Sequence, residues 1–253
     1  MFAPGRGARP GAWLPELEPP TDEELERCPF CAGREERTPP ETLRIGDPWR
    51  VRVVPNLYPA FERQEVVIHS PDHVRSFADL DDEQVRLVAE AWERRRADVP
   101  DGELLALVNE GRLAGASLPH SHSQLVWLSD RPPAVTREEP DRIAELLELE
   151  VMRRGETVAA VHPAGAGPYE SIIAAPDGGG ELPNALLLLR DLIRRLHAAE
   201  GVRPWNAWLH PGPPRHLHVV PRLTVLAGVE LGAGVYVNVL PPELAVERLR
   251  ATR

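Results

Sequence analysis

Two histidine pairs set the terms for the fold. His120 and His122 lie in "PHSHSQLVWL" and His216 and His218 in "RHLHVVPRL", and each histidine stands 96 positions from its counterpart. The same order of segments surrounds both pairs. In the first half, residues 49–56 and 64–70 read as strands. Residues 79–98 read as an amphipathic helix, with Asp79 or Asp81 as its cap, acids in the first turn and arginines in the last. Strands over 103–111 and 122–128 follow. In the second half, 141–154 reads as helix, "ETVAAV" and "ESIIAA" as short strands, 183–199 as a Leu-rich helix, and 205–212 and 216–223 as strands. Helix, strand, loop, H-x-H and strand thus occur twice, and no low-complexity linker separates the copies. The expected fold class is α+β: a duplicated unit of antiparallel strands with packed helices, forming one compact body. Its N-terminal half covers residues 1–130 and its C-terminal half residues 131–253.

Charge narrows the partners. With 29 Lys+Arg against 39 Asp+Glu, the 253-residue chain carries a net charge of −10. A nucleic-acid polymer or an anionic membrane would call for a basic face, so neither is expected as a partner. A small phosphorylated substrate needs only a few local cations. Every basic residue is arginine, which removes Schiff-base lysine chemistry and a Walker-type lysine. The opening residues have no apolar core of signal-peptide length, and the aliphatic run 185–189 is far too short to span a bilayer. With only two cysteines as well, the chain is expected to be soluble and cytoplasmic.

The two cysteines form "CPFC". Cys28 and Cys31 at this spacing can fill two corners of a tetrahedral zinc site, form a redox dithiol, or pair by accident. Gly33 and a charged loop follow, where a redox motif would open a helix. A zinc site needs further ligands, which must be histidines or carboxylates. In "GASLPHSHSQLVWL", alternation along a strand points His120, His122 and Gln124 to one face, with Ser121 and Ser123 to the other. A polar strand face exposed to water would explain this. So would chemistry, since a neutral imidazole is a competent nucleophile toward phosphorus and an amide can orient a phosphoryl oxygen. "GASLP" is not the G-x-S-x-G of a serine nucleophile. His210, His216 and His218 form a third group, readable as a metal site or as a buried histidine cluster bonded to backbone.

These motifs resemble the galactose-1-phosphate uridylyltransferases, a branch of the histidine-triad superfamily. "GASLPHSHSQ" resembles their active-site signature and "CPFCAG" their zinc-binding turn. "WRVRVVPNLYPAF" resembles their nucleotide-holding strand and loop, "SPDH" recurs at the corresponding place, and "GVELGAGVYVNVLPPELAVERLR" resembles their C-terminal segment. The resemblance implies two histidine-triad-like halves and a nucleotidyltransferase working by ping-pong through a covalent uridylyl-histidine. Its substrates would be UDP-glucose and a hexose 1-phosphate. His122 would be the nucleophile, and Gln124 and Ser117 would hold phosphoryl oxygens. Cys28, Cys31, His73 and His120 would bind zinc, with His69 as a rival to His73. Asn56 and Asn109 would contact the nucleotide, Arg6 and Arg9 the substrate phosphates, and Glu230, Tyr236 and Asn238 the hexose, across a homodimer interface. A second zinc or an iron would sit on Glu138, His210, His216 and His218, with Glu139 as a rival to Glu138. One departure bears on the nucleotide. Serine stands between the histidines where well-known uridylyltransferases have proline, and this form also resembles adenylyl-transferring relatives that act on ADP-glucose. The base stays open at this point, as does a zinc-binding module without catalysis.

Overall fold

The computed structural model describes residues 1–3, 21–98, 103–139, 142–178, 180–212 and 214–252. The first half supplies strands β1 (Leu43–Ile45), β2 (Val51–Pro55), β3 (Arg63–Ile68), β4 (Glu103–Glu110) and β5 (His122–Leu128). The second supplies β6 (Glu150–Arg154), β7 (Thr157–Val161), β8 (Ser171–Ala174), β9 (Trp205–His210) and β10 (His216–Pro221). All ten join in one antiparallel sheet, in the order β1-β2-β3-β5-β4-β9-β10-β8-β7-β6. The two ends mirror each other: β1 answers to β6, β2 to β7, β3 to β8, β5 to β10 and β4 to β9. The halves meet where β4 pairs with β9, with Val108 opposite Ala207. The fold is α+β, and the repetition in the sequence appears as this symmetric strand order.

Alternation divides each strand between two faces. Val51, Val53, Val67, Ala106, Leu125, Ala207 and Leu217 point to one face and are fully or almost fully buried. The long helices cover that face. Of α1 (Asp22–Arg27), α2 (Asp82–Ala97), α3 (Pro133–Thr136), α4 (Ile143–Leu146), α5 (Leu182–Glu200), α6 (Gly228–Ala233) and α7 (Pro242–Ala251), it is α2, α5 and α7 whose apolar sides enter this core. Asp81 caps α2, its Oδ1 accepting from Gln84 N–H at 2.7 Å. Arg95 of α2 grips Glu65 of β3 through two bonds, Nε to Oε2 at 2.8 Å and a terminal nitrogen to Oε1 at 2.7 Å, both groups buried. Arg194 of α5 donates to the carbonyls of Ala78 and Leu80, joining the helical layers of the two halves. No helix among the described residues is long and apolar enough to cross a membrane.

One element differs from its sequence pattern. The pattern predicts a single helix over 141–154; among its described residues the segment holds only the short α4, followed by edge strand β6. Leucines and glutamates here alternate closely enough to suit a helix. Gly155, at φ 56°, turns the chain into a hairpin with β7, and burying Val151 against the core outweighs helical propensity.

Glu110 ends β4 in full burial and pins this central strand to its surroundings. It accepts from Ser76 Oγ–H and Phe77 N–H, both at 2.7 Å, and from Trp205 Nε1–H at 2.9 Å. Burial pushes its carboxyl up to about 7, against the pull of these donors. The folded chain therefore keeps a proton there that the unfolded chain releases at its ordinary carboxylate pKa. The associated stability is present below that ordinary value and is lost as pH rises through about 7, up to about 3 kcal/mol in total. Melting temperature should accordingly fall between pH 5 and pH 8, and Glu110→Gln, neutral throughout, should flatten that fall. An equal slope in the variant would assign the fall to other groups.

Candidate active site and metal centres

The sheet face opposite the long helices carries the candidate site residues. His122 and Gln124 of β5, Asn109 of β4, Asn206 and His210 of β9, and His216 and His218 of β10 all fall on it by alternation. The loop carrying Cys28, Phe30 and Cys31 closes over its first half with Trp49, Val54, Val66 and Ile68. Phe30 sets its ring edge-on to His120 and His122, at 5.8 and 5.5 Å between centroids.

His122 is buried, and its Nδ1 lies 2.7 Å from the carbonyl of His120. A carbonyl only accepts, so Nδ1 carries the proton and Nε2 keeps its lone pair. Burial lowers the pKa of His122, which favours the neutral ring. One structural step thus gives the ring both its orientation and its tautomer. The sequence does not identify this carbonyl.

Gln124 stands two residues on, its Oε1 accepting from Gln64 Nε2 at 2.6 Å. Asn56 closes the turn after β2, its Oδ1 accepting from Tyr58 N–H at 2.9 Å. Asn109 Oδ1 accepts from Asn206 Nδ2 at 2.7 Å across the β4–β9 seam. Ser117 is exposed in the loop before His120. Among the described residues, the amide nitrogens of Gln124, Asn56 and Asn109 have no protein partner. Gln64 and Asn206 escape sequence reading, although each is a polar residue on a strand whose neighbours of the same parity are apolar or aromatic.

Cys28, Cys31, His73 and His120 come together, their four donor atoms within 4.8 Å of one another. Cys28 Sγ lies 3.4 Å and Cys31 Sγ 3.8 Å from His120 Nδ1, and Cys31 Sγ lies 3.4 Å from His73 Nδ1. A zinc tetrahedron with ordinary bond lengths separates sulfur and nitrogen by about 3.5 Å. The outer nitrogens are also held. His120 Nε2–H donates to the Ser70 carbonyl at 3.0 Å and His73 Nε2–H to Glu24 Oε1 at 2.9 Å, so both Nδ1 lone pairs face inward. Burial pushes His120 down to about 4, keeping it neutral, and burial with the neighbouring Cys28 pushes the Cys31 thiol up to about 11. Two thiols, one buried and one half-buried, and two imidazole nitrogens facing one point fit a divalent cation. His69 is fully buried elsewhere, its ring nitrogens 2.9 Å from Ser121 Oγ and Ser123 Oγ.

The second cluster forms at the equivalent place in the other half. Glu138 Oε1 lies 2.6 Å from His210 Nδ1 and 3.0 Å from His218 Nε2, and Oε2 lies 3.3 Å from His216 Nε2. His216 Nδ1–H donates to the Pro214 carbonyl at 2.8 Å, which leaves its Nε2 unprotonated in the neutral ring, 3.1 Å from His218 Nε2. His210 Nδ1, though close to Glu138, is buried without a well-angled hydrogen bond. Burial works to raise the Glu138 pKa, but the three imidazoles hold it well below the usual carboxylate range. An orphaned nitrogen, two nitrogens face to face and one carboxylate fit a shared cation. Glu139 instead pairs with Arg142.

The remaining expected residues are placed as follows. Glu230 Oε2 accepts from Ala227 N–H, capping α6. Asn238 directs both amide groups into the chain: Nδ2 donates to the Gly165 and Gly167 carbonyls, and Oδ1 accepts from Leu240 N–H. Phe2 bridges to Asn238 in parallel, and Tyr236 beside it is exposed. Arg6 and Arg9 lie outside the described residues.

Comparison with known proteins bears on the same strands. Residues 58–133 match the family model described as galactose-1-phosphate uridyl transferase, N-terminal domain. An ADP-glucose phosphorylase from Arabidopsis thaliana is 26% identical, the match covering 99% of this chain and 89% of the relative. A galactose-1-phosphate uridylyltransferase from Streptomyces lividans is 35% identical over 134 residues, which is 49% of this chain and 34% of that protein. The crystal structure of the Arabidopsis thaliana ADP-glucose phosphorylase with bound ADP-glucose superposes with a TM-score of 0.84 at 24% identity, covering 100% of this chain and 95% of that one. These relatives are nucleotidyl- or phosphate-transferring enzymes. The match to this family model spans β3, β4 and β5, and the whole chain shares its fold with the ADP-glucose phosphorylase structure, so the chain is similar to the galactose-1-phosphate uridylyltransferases in sequence over these strands and to their relatives in fold along its length.

Proposed function

We propose that this protein is a nucleotidyltransferase that carries a nucleoside monophosphate on His122 between a nucleoside-diphosphate sugar and a phosphate acceptor. The observation that carries this reading is the His122 ring, neutral and buried, with Nδ1–H tied to the His120 carbonyl and Nε2 left as a lone pair. Nε2 attacks the phosphorus that bears the nucleoside. A P–N bond forms, the P–O bond to the departing sugar 1-phosphate breaks, and that oxygen leaves with the electron pair. In the second half-reaction an acceptor phosphate oxygen attacks the same phosphorus and the P–N bond breaks. Splitting the transfer means that two anionic substrates never meet at one phosphorus. The Gln124 amide nitrogen and the Ser117 hydroxyl donate to phosphoryl oxygens, where charge develops in each displacement. Asn56 and Asn109 offer amide N–H groups to the nucleotide.

Cys28, Cys31, His73 and His120 would hold zinc. Four protein ligands leave no open position, so the metal when bound supplies cross-linking of the loop and not an activated water. Glu138, His210, His216 and His218, three nitrogens and a carboxylate with no thiolate, suit a second zinc or an iron in a supporting role.

Two nucleotides are in question. Uridylyl transfer between UDP-glucose and a hexose 1-phosphate is the activity that the family name implies. The likeness that spans 99% of the chain, however, is to an ADP-glucose phosphorylase, and it favours adenylyl transfer from ADP-glucose with inorganic phosphate as acceptor. Incubating the protein with UDP-glucose or ADP-glucose labelled at the nucleoside-bearing phosphorus, without acceptor, decides between them. Label should be trapped on the protein from one nucleotide and released by its acceptor. No label from either overturns the transfer reading.

A further inference from the structure

Gln64 is a polar side chain on β3, on the same face as the buried Val66 and Ile68. It makes two hydrogen bonds: Ala60 N–H donates to its Oε1 at 2.9 Å, and its Nε2 donates to Gln124 Oε1 at 2.6 Å. The two ends of an amide are alike in shape, so their order must come from a partner with only one possible sense. Ala60 N–H is such a partner, because a backbone N–H can only donate. It holds the Gln64 oxygen toward Ala60 and thereby turns the Gln64 nitrogen toward Gln124. Gln124 must then present its oxygen to Gln64, which leaves its NH2 as the end offered to substrate. The reverse order would offer a carbonyl oxygen to an anionic phosphoryl group.

We propose that Gln64 is a positioning residue for nucleotidyl transfer: it relays the fixed direction of the Ala60 N–H to Gln124 and so keeps a donor aimed at the phosphoryl group. This rests on the nucleotidyl-transfer reading of His122 and Gln124. Nothing in the sequence motif requires it, since Gln64 lies 60 positions before Gln124 and meets it only through the β3–β5 pairing.

Gln64→Glu separates positioning from packing. The introduced carboxylate still accepts from Ala60 N–H and still holds the turn, but it cannot donate to Gln124 unless protonated. Gln124 then flips to donate its NH2 to that carboxylate, and its oxygen faces the substrate. The rate of covalent labelling by the preferred nucleotide sugar should drop about 100-fold at pH 7.5, the loss associated with one transition-state donor. Melting should stay close to that of the unaltered chain. The ratio of Q64E to unaltered rates should climb as pH falls toward the carboxyl range, and Q64E should slow a Q124A protein no further. Q64E labelling at the unaltered rate, a deficit that ignores pH, or losses that multiply in the double variant each overturn the proposal. An unaltered chain that takes no label at all overturns the transfer reading and this proposal together. That outcome is distinguishable because it shows in the unsubstituted control.

Discussion

His122→Asn should abolish covalent labelling and slow turnover by about four orders of magnitude or more, while leaving melting nearly unchanged. Loss of an attacking side chain has effects of this size, because binding and the remaining donors give only residual catalysis. Asparagine suits the test because its Nδ2–H can reach toward the His120 carbonyl in place of the ring N–H. The buried hydrogen bond is thus retained while the nucleophilic lone pair is removed. The ring lies under Phe30, on the sheet face opposite the large core beneath the long helices, so the change leaves that core untouched. Gln124→Ala should behave differently, slowing labelling by about 100-fold without abolishing it, since it removes one donor and keeps the nucleophile. Covalent label persisting at full rate on the asparagine variant would move the nucleophile to another residue. Equal losses in both variants would mean that position 122 acts on the phosphoryl group without bonding to it.

Much of this arrangement could be read from the sequence because the sheet obeys a period of two. Once residues 122–128 are a strand, His122 and Gln124 must share a face, and residues 216–221 give His216 and His218 the same property. The repeated segment order likewise foreshadows a symmetric sheet. What stays hidden depends on which strand lies beside which. Gln64 meets Gln124, and Asn206 meets Asn109, only because β3 pairs with β5 and β4 with β9. Glu24 reaches His73 from a separate helix, and the carbonyls that set the tautomers of His120 and His122 belong to Ser70 and His120, where any residue could supply them. Alternation also makes His120 and His122 look equivalent. Packing separates them. The bend that precedes β5 turns His120 to the cysteines and leaves His122 as the first residue of the strand.

Removing metal from the first cluster should lower the melting temperature by about 10 °C and should also reduce labelling, and Cys28→Ser should do the same. A ligand present at about a thousand times its dissociation constant stabilises the folded state by about 4 kcal/mol, and in a chain of this length each kcal/mol moves melting by about 2–4 °C. The cation would join three separate segments: the turn with Cys28 and Cys31, the loop with His73, and the residue that opens the approach to β5. Without it, two thiols and two imidazoles crowd one another with no charge to draw their lone pairs together. The loss of activity follows from one bond. The carbonyl that fixes the His122 tautomer belongs to His120, a ligand, so a loosened His120 frees the His122 ring to rotate and change tautomer. Stability and chemistry should therefore fall together in Cys28→Ser but separately in His122→Asn, which touches only the chemistry. The measurements are zinc per chain, thermal melting with and without chelator, and the labelling rate. A chain purified without bound metal, melting identically before and after chelation, would reject the four-ligand site. A Cys28→Ser protein with lowered melting and full labelling would keep the site but break its link to His122.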